Sequence, residues 1–261
     1  MAKPMEAGTV DVNGAKLYYE LRGTGPSLLF IPGAEGDAEE YLRVVELLEE
    51  EFTILSYDRR GYSRCPRPEG YRGTTVEEQA DDAAGLLTAL DLAPAGVWGN
   101  SSGAIIGLSL VLRHPEVVRK AMLHEPPLYA GMGDWRQVLA FLKEATAEGK
   151  VPFLRMLTGD VVYDSFSEGY RARLQADDTW ILYEFDNFES YRPSDEELAR
   201  VERPVSVLYG EDSPPFFGET ANWLADRLRT DVVKIRGGHG VHYEYPDEVA
   251  KAIREFMGGS C

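Results

Sequence analysis

The chain predicts an α/β fold: a mixed, mainly parallel sheet of eight strands with helices on both faces. Three observations lead there. At 261 residues and 44% hydrophobic content, the chain can bury one sizeable core. Its early strand patterns give way to alternating strand and helix patterns, the order that builds a mainly parallel sheet. Finally, Val97-Trp98-Gly99-Asn100-Ser101-Ser102-Gly103 reads as buried strand, tight turn and apolar helix in immediate succession.

Each element has its own signal. Val10–Val12, Lys16–Leu21 and Ser27–Ile31 read as strands, with Asn13-Gly14 as a hairpin turn and Gly23-Thr24-Gly25-Pro26 as the next corner. From Ala38 to Glu50 the apolar residues Tyr41, Val44, Val45 and Leu48 recur at helical spacing. Thr53–Tyr57 is a short strand, and Thr74–Leu90 is an amphipathic helix with carboxylates opposite its apolar stripe. Ala95–Trp98 is a strand leading into a helix from Ala104 to Arg113, and Val118–Leu123 is the sixth strand. The alternation resumes with a strand at Val205–Tyr209 and a helix near Thr220–Leu228. A strand at Asp231–Ile235 and a helix over Asp247–Phe256 close the chain. Between the sixth and seventh strands, residues 129–203 are helical and rich in aromatics, including Trp135, Phe141, Phe153, Tyr163, Phe166, Trp180, Tyr183, Phe185 and Phe188. We expect a core of residues 1–128 and 204–258 and a helical cap of residues 129–203 over the strand ends, where open α/β sheets bind ligands.

Charge and composition exclude several function classes. A net charge of −17 argues against nucleic acid or anionic membranes as partners. No apolar run approaches the roughly 18 residues of a membrane span. Met1–Gly8 has no stretch like a secretory signal, so the cytoplasm is the expected compartment. Cys65 and Cys261 are expected to be free thiols, Cys65 partly exposed in a loop. The four histidines are scattered and no glycine-rich dinucleotide fingerprint follows the first strands, so no metal or cofactor is expected. A homodimer stays open, with no motif to specify it.

The chemistry centres on Ser101. A Gly-x-Ser-x-Gly serine sits on a sharp strand-to-helix turn that needs small flanking residues and presents its hydroxyl at the sheet edge. The following helix adds free N–H groups and a positive dipole end for a developing oxyanion. A serine hydroxyl needs a base to take its proton, and His114, His124, His239 and His242 are the candidates. His114, before Pro115, suits a helix C-terminus. His239 lies in a glycine-rich loop between the last strand and the last helix, free to reach Ser101. His242 is expected to pack or hydrogen-bond in the same loop.

Four landmarks in this order resemble the α/β-hydrolase superfamily across nearly the whole chain. They are Ile31-Pro32-Gly33-Ala34-Glu35-Gly36, Tyr57-Asp58-Arg59-Arg60-Gly61-Tyr62-Ser63, Gly99 to Gly103, and Gly237-Gly238-His239 ahead of Glu244-Tyr245-Pro246. A narrower likeness over about 35 residues is to the zearalenone lactonases. It rests on Val97-Trp98-Gly99 with Ser101-Ser102-Gly103-Ala104, on Arg119-Lys120-Ala121-Met122, and on His124-Glu125 before Pro127.

The resemblance implies an α/β-hydrolase fold with Ser101 as nucleophile and His239 as base, and an oxyanion hole from the N–H groups of Ala34 and Ser102. It leaves the acid between two residues. The superfamily's usual acid position, three residues after Gly210, holds Ser213, and Asp212 is one residue early. Glu125 stands at the end of the sixth strand, where Pro126 favours an extended backbone and where the lactonases carry their acid. We favour Glu125, with Asp212 as the alternative. Against these roles, Asp212 can cap the next helix and Glu125 can pair with Arg59 or Arg60. Gly33, Pro127, Trp135, Trp180 and His242 are the candidate substrate contacts.

The resulting expectation is a serine hydrolase that cleaves a carboxylic ester or lactone of a bulky apolar small molecule through an acyl-enzyme, with a zearalenone-type macrolactone as the most specific form that the resemblance implies. The rival readings are a carbon–carbon bond hydrolase or cofactor-free oxygenase on the same fold, and a non-catalytic ligand receptor.

Overall fold

The computed structural model describes residues 6–67 and 69–258, with every side chain there except those of Phe185 and Asp186. Cys261 lies outside the described residues. The strands are β1 (Glu6–Val12), β2 (Ala15–Gly23), β3 (Ser27–Ile31), β4 (Thr53–Tyr57), β5 (Ala95–Asn100), β6 (Val118–His124), β7 (Val205–Gly210) and β8 (Val232–Ile235). They form one eight-stranded sheet in the order β1-β2-β4-β3-β5-β6-β7-β8. The β1–β2 and β2–β4 pairs are antiparallel, and the rest of the sheet is parallel. Asn13 and Gly14 both take positive φ at the β1–β2 turn, as a hairpin matching the right-handed strand twist requires.

Period-two alternation sorts the strand residues onto two faces. Leu29, Ile31, Leu55, Val97, Leu123 and Val207 pack with α2 (Val76–Ala89), α3 (Ser102–Arg113) and α10 (Pro215–Leu228). Leu28, Phe30, Ile54, Trp98, Met122 and Leu208 pack with α1 (Leu42–Leu48) and α12 (Pro246–Gly258). Every residue of β5 is buried, as a central parallel strand covered on both faces must be. The helix expected over Ala38–Glu50 splits into a 3-10 turn, Ala38–Tyr41, capped by the Asp37 side chain, followed by α1.

From β6 to β7 the chain runs through α4 (Trp135–Ala145), α5 (Lys150–Thr158), α6 (Asp160–Asp164), α7 (Glu168–Ala176), a π-helical turn (Trp180–Glu184), α8 (Phe185–Ser190) and α9 (Asp195–Ala199). A short α11 (Val241–Glu244) lies between β8 and α12.

The topology decides where a site can form. After β3 the chain crosses to β4 on one side and then to β5 on the other. The crevice beyond the C-terminal ends of β3 and β5 is therefore a topological switch point. Register brings Ile31 beside Gly99 and Asn100 beside His124. The segments that follow, carrying Ala34, Ser101 and Glu125, leave the sheet at the same edge.

Cys65 departs from expectation. It is buried, receives the Tyr18 N–H at 3.2 Å and lies 3.1 Å from the Asp58 carbonyl oxygen. Burial pushes its thiol up to about 12. The thiolate is the reactive form, so in a Cys261→Ser background the folded protein should react with a thiol reagent at pH 8 about 10³-fold more slowly than the unfolded chain. Comparable rates in the two states would contradict the buried position.

Candidate active site

Ser101 sits between β5 and α3 with φ 55° and ψ −125°, a conformation that costs on the order of 1–3 kcal/mol and persists only where its surroundings enforce it. Those surroundings explain the flanking glycines. A Cβ on Gly99 would lie 2.3 Å from the Gly103 carbonyl oxygen, and one on Gly103 would lie 2.1 Å from that of Ile31. The Ser101 N–H donates to the His124 carbonyl at 3.0 Å, which ties the turn to β6.

Glu125 follows β6 with φ 50°. Its backbone is left-handed, not the extended form expected ahead of Pro126. Its N–H donates to the Leu208 carbonyl at 2.9 Å, and this anchoring to β7 overrides the local preference. The side chain is fully buried. Oε1 accepts the Gly210 N–H at 2.7 Å, and Oε2 lies 2.6 Å from Nδ1 of His239. Burial would raise the carboxyl's pKa, but neighbouring His124 and the hydrogen bond from His239 outweigh it and bring it down to about 2.

Asp212, the alternative acid, is exposed, and only its backbone N–H reaches the histidine loop, donating to the Gly237 carbonyl at 3.0 Å. It does not cap α10, whose N-cap is Pro214. Arg59 and Arg60 do not pair with Glu125 either: Arg59 pairs with Glu184 and Arg60 with Asp82.

His239 belongs to the Gly237–Gly240 stretch between β8 and α11. Its ring stacks on Phe217 with centroids 4.4 Å apart. Asn100 Nδ2 donates to the His239 carbonyl at 3.2 Å, while Asn100 Oδ1 pairs with His124 Nδ1 at 2.8 Å. The first variable residue of the Gly-x-Ser-x-Gly motif thus fastens the histidine loop to the serine turn, a role no sequence signal announces. His114 is the C-cap residue of α3, but its ring contacts Asp81 at 2.7 Å.

The loop after β3 is gripped from both sides. Gly33 donates its N–H to both Glu40 oxygens at 2.9 Å, and its carbonyl accepts from Arg59 Nη2 at 2.7 Å. Arg59 is itself buried against Gln79 and Glu184. Among the described residues, the N–H groups of Ala34 and Ser102 have no hydrogen-bond partner, and both residues line the same cavity as Ser101 and His239. Two N–H donors beside a serine can bind a developing oxyanion.

That cavity is a concave, largely apolar pocket with a few polar groups, the character of a small-molecule site. Its wall is mostly apolar, with Phe141, Phe153, Trp180 and Phe188 from residues 129–203 and Pro127 from the end of β6. Phe216 and Phe217 of α10 also line it; the aromatic pair after Pro214-Pro215 was the available signal for them.

Two expected contacts fail. Gly33 is not on the wall, and Trp135 turns away to pack edge-on against Tyr129 at 5.9 Å. Tyr163 and Phe166 belong to a separate apolar cluster with Leu154, Tyr170 and Leu174.

The sequence profile of the alpha/beta hydrolase family matches residues 28–252. This chain belongs to that family. The uncharacterized hydrolase YraK of Bacillus subtilis (strain 168) is 32% identical over 258 residues, covering 96% of this chain and 95% of that protein. A zearalenone hydrolase of Bionectria ochroleuca is 36% identical over 118 residues, 44% of this chain and 45% of that one. In fold, this α/β hydrolase is similar to a hydrolase of Pseudomonas aeruginosa PA01, with a TM-score of 0.79 and 23% identity over 97% of this chain and 99% of that one. None of the helices among the hydrolase's described residues is long and apolar enough to cross a membrane.

Electrostatics beside the site favour neutral histidines. His124 is wholly buried and stacks on Trp98, and desolvation holds its pKa down to about 4. His242 is buried to the same effect, its pKa well below the ordinary value. A histidine neutral in the folded state but free to protonate once unfolded withdraws stability as pH falls. For His124 the stability is complete above about pH 6.5 and is lost on the way down to about 4.

Urea unfolding between pH 6 and 4.5 should therefore show stability falling by up to about 1.4 kcal/mol per pH unit on account of His124. His124→Gln should remove one histidine's share. If that variant keeps the wild-type slope, His124 does not titrate in this way.

Proposed function

We propose that this hydrolase cleaves a carboxylic ester or lactone of a bulky apolar substrate through an acyl-enzyme. The observation that carries this reading is the 2.6 Å contact from the buried Glu125 carboxylate to Nδ1 of His239, in the cavity that Ser101 also lines. With Nδ1–H held by Glu125, the proton-free Nε2 is left to act as base.

Ser101 Oγ gives its proton to His239 and attacks the carbonyl carbon. The N–H groups of Ala34 and Ser102 hold the oxyanion, and the Glu125 charge stabilises the imidazolium. His239 then protonates the departing alcohol, which in a lactone remains tethered to the acyl group. Water, activated by the same histidine, releases the acid and restores Ser101.

Residues 129–203 serve as a cap that supplies most of the apolar wall. A bulky, partly aromatic substrate fits that wall best, because aromatic side chains bury large apolar faces at little entropic cost. The local likeness to zearalenone hydrolases supports a zearalenone-type macrolactone as the specific substrate.

A panel of p-nitrophenyl esters and macrolactones, zearalenone included, tests the reading. Ser101→Ala should lower turnover by about 10⁴-fold or more while leaving the fold intact. Glu125→Gln should approach a 10⁴-fold loss, the effect known for an Asp-to-Asn change in a serine-protease triad, and Asp212→Asn should keep near-normal kcat. The reverse order of those two effects would move the acid to Asp212, and an active Ser101→Ala would end the nucleophile assignment.

The two tryptophans should separate as well. Trp180→Ala should reduce the preference for bulky over short-chain esters by about tenfold, and Trp135→Ala should leave it within a factor of two, since only Trp180 lines the cavity. Equal substrate profiles in both variants would remove Trp180 from the binding surface.

A further inference from the structure

One part of this apolar cavity is polar, and the ester chemistry does not use it. Glu35 and His242 both line the wall. His242 is 2% exposed and packs against the Tyr41 and Tyr243 rings at 4.9 and 4.1 Å, yet neither ring nitrogen has a hydrogen-bond partner. The nearest carboxylate oxygen, Oε1 of Glu40, lies 3.9 Å from Nε2, beyond hydrogen-bond reach. Both Glu40 oxygens already accept the Gly33 N–H. The carboxylates crowd together: a Cβ on Gly33 would lie 3.1 Å from Glu40 Oε1 and 3.5 Å from Glu35 Oε2.

Leaving a buried polar group unpaired costs about 1–3 kcal/mol, and each such group calls for a reason. Among the described residues several buried side-chain atoms lack partners, but His242 is the one such residue that also lines the cavity.

We propose that Glu35 and His242 form a polar subsite that takes a hydroxyl group of the substrate, distinct from the scissile carbonyl. The inference rests on the ester or lactone reading of the same cavity. A neutral imidazole offers one donor and one acceptor, and a hydroxyl can meet whichever nitrogen faces it, because it both donates and accepts. A carbonyl group can only accept and an ammonium can only donate. An anionic group is opposed by Glu35 and Glu40, side by side at this end. Burial and neighbouring Glu35 also raise the Glu40 carboxyl well above its ordinary pKa, so the subsite is suited to a neutral guest. Sites built to hydrogen-bond a substrate hydroxyl discriminate strongly against the analogue without it.

The test uses aryl methyl ketones, which place a carbonyl at the Ala34 and Ser102 donors but cannot be hydrolysed. The Kd of 4-phenylbutan-2-one is compared with those of its ortho-, meta- and para-hydroxyphenyl analogues by quenching of intrinsic tryptophan fluorescence. At least one hydroxylated isomer should bind tenfold or more tightly than the parent. That preference should fall below twofold in His242→Phe and return in part in His242→Gln, which restores a donor and an acceptor. Equal binding of all four ketones, absence of binding at millimolar concentration, or a preference untouched by His242→Phe overturns the subsite. Ester turnover is measured in parallel. A hydroxyl preference without turnover overturns the ester reading and leaves the subsite, whereas turnover without the preference does the opposite.

Discussion

The buried Glu125 carboxylate is the constraint on which the arrangement of the site depends. A charge taken fully out of water must be met by partners or it destabilises the fold by several kcal/mol. Here the partners come from separate parts of the chain: the Gly210 N–H at the end of β7 and the His239 ring beyond β8. Meeting the charge thus fixes the histidine loop against β6 and β7. It also commits Nδ1 of His239, leaving Nε2 as the ring nitrogen open to another partner. The left-handed backbone of Glu125 and the strained turn at Ser101 lie at neighbouring strand ends, joined by the Ser101 N–H and the His124 carbonyl. Local strain at both places is held by the same sheet edge.

A second buried charge organises the opposite wall. Arg59 holds the Gly33 carbonyl from below while Glu40 holds the Gly33 N–H, so the peptide leading to Ala34 has little freedom. Arg59 also pairs with Glu184, the last residue of the π-helical turn that begins with Trp180. One guanidinium therefore spans the early loop and the segment that presents an aromatic wall to the cavity. π-Helical turns of this kind are frequent at functional sites.

How much of this was legible in the sequence follows from the range of each interaction. The strands and helices were legible because period-two and period-3.6 burial are local patterns, and strand boundaries fell within a few residues of the observed ones. The glycines around Ser101 were legible because their cause, backbone crowding, lies within the turn. Glu125 is legible as the acid from its place at the end of the sixth strand, from Ser213 in the commoner acid position and from the local likeness to the lactonases. The structure sets the Ser213 hydroxyl near that carboxylate without bringing it into hydrogen-bond geometry.

Long-range partnerships were not legible. Nothing near Arg59 in sequence points to Glu184, 125 positions away, and nothing near Asn100 points to the His239 carbonyl. Which tryptophan of residues 129–203 would face the ligand depends on how short helices rotate on the core, and neither Trp135 nor Trp180 carries that in its neighbours. The burial of Cys65 is hidden for the same reason: its loop is polar in sequence but is sealed by contacts from Tyr18 and Asp58.

The Arg59–Glu184 pair also limits how freely the two parts of the chain can be exchanged. Both side chains are essentially inaccessible to solvent, at 1% and 0% exposure, and removing one partner of such a pair typically costs about 3–5 kcal/mol because the other charge is stranded. A chimera that imports a foreign insert in place of residues 129–203 strands the guanidinium unless the import brings an acid to meet it. Recombination among related hydrolases is therefore favoured where positions 59 and 184 descend from the same parent, where the import supplies its own acid, or where both positions are apolar together. Residues 129–203 are thus inherited together with Arg59, which lies outside them and 125 positions before its partner Glu184.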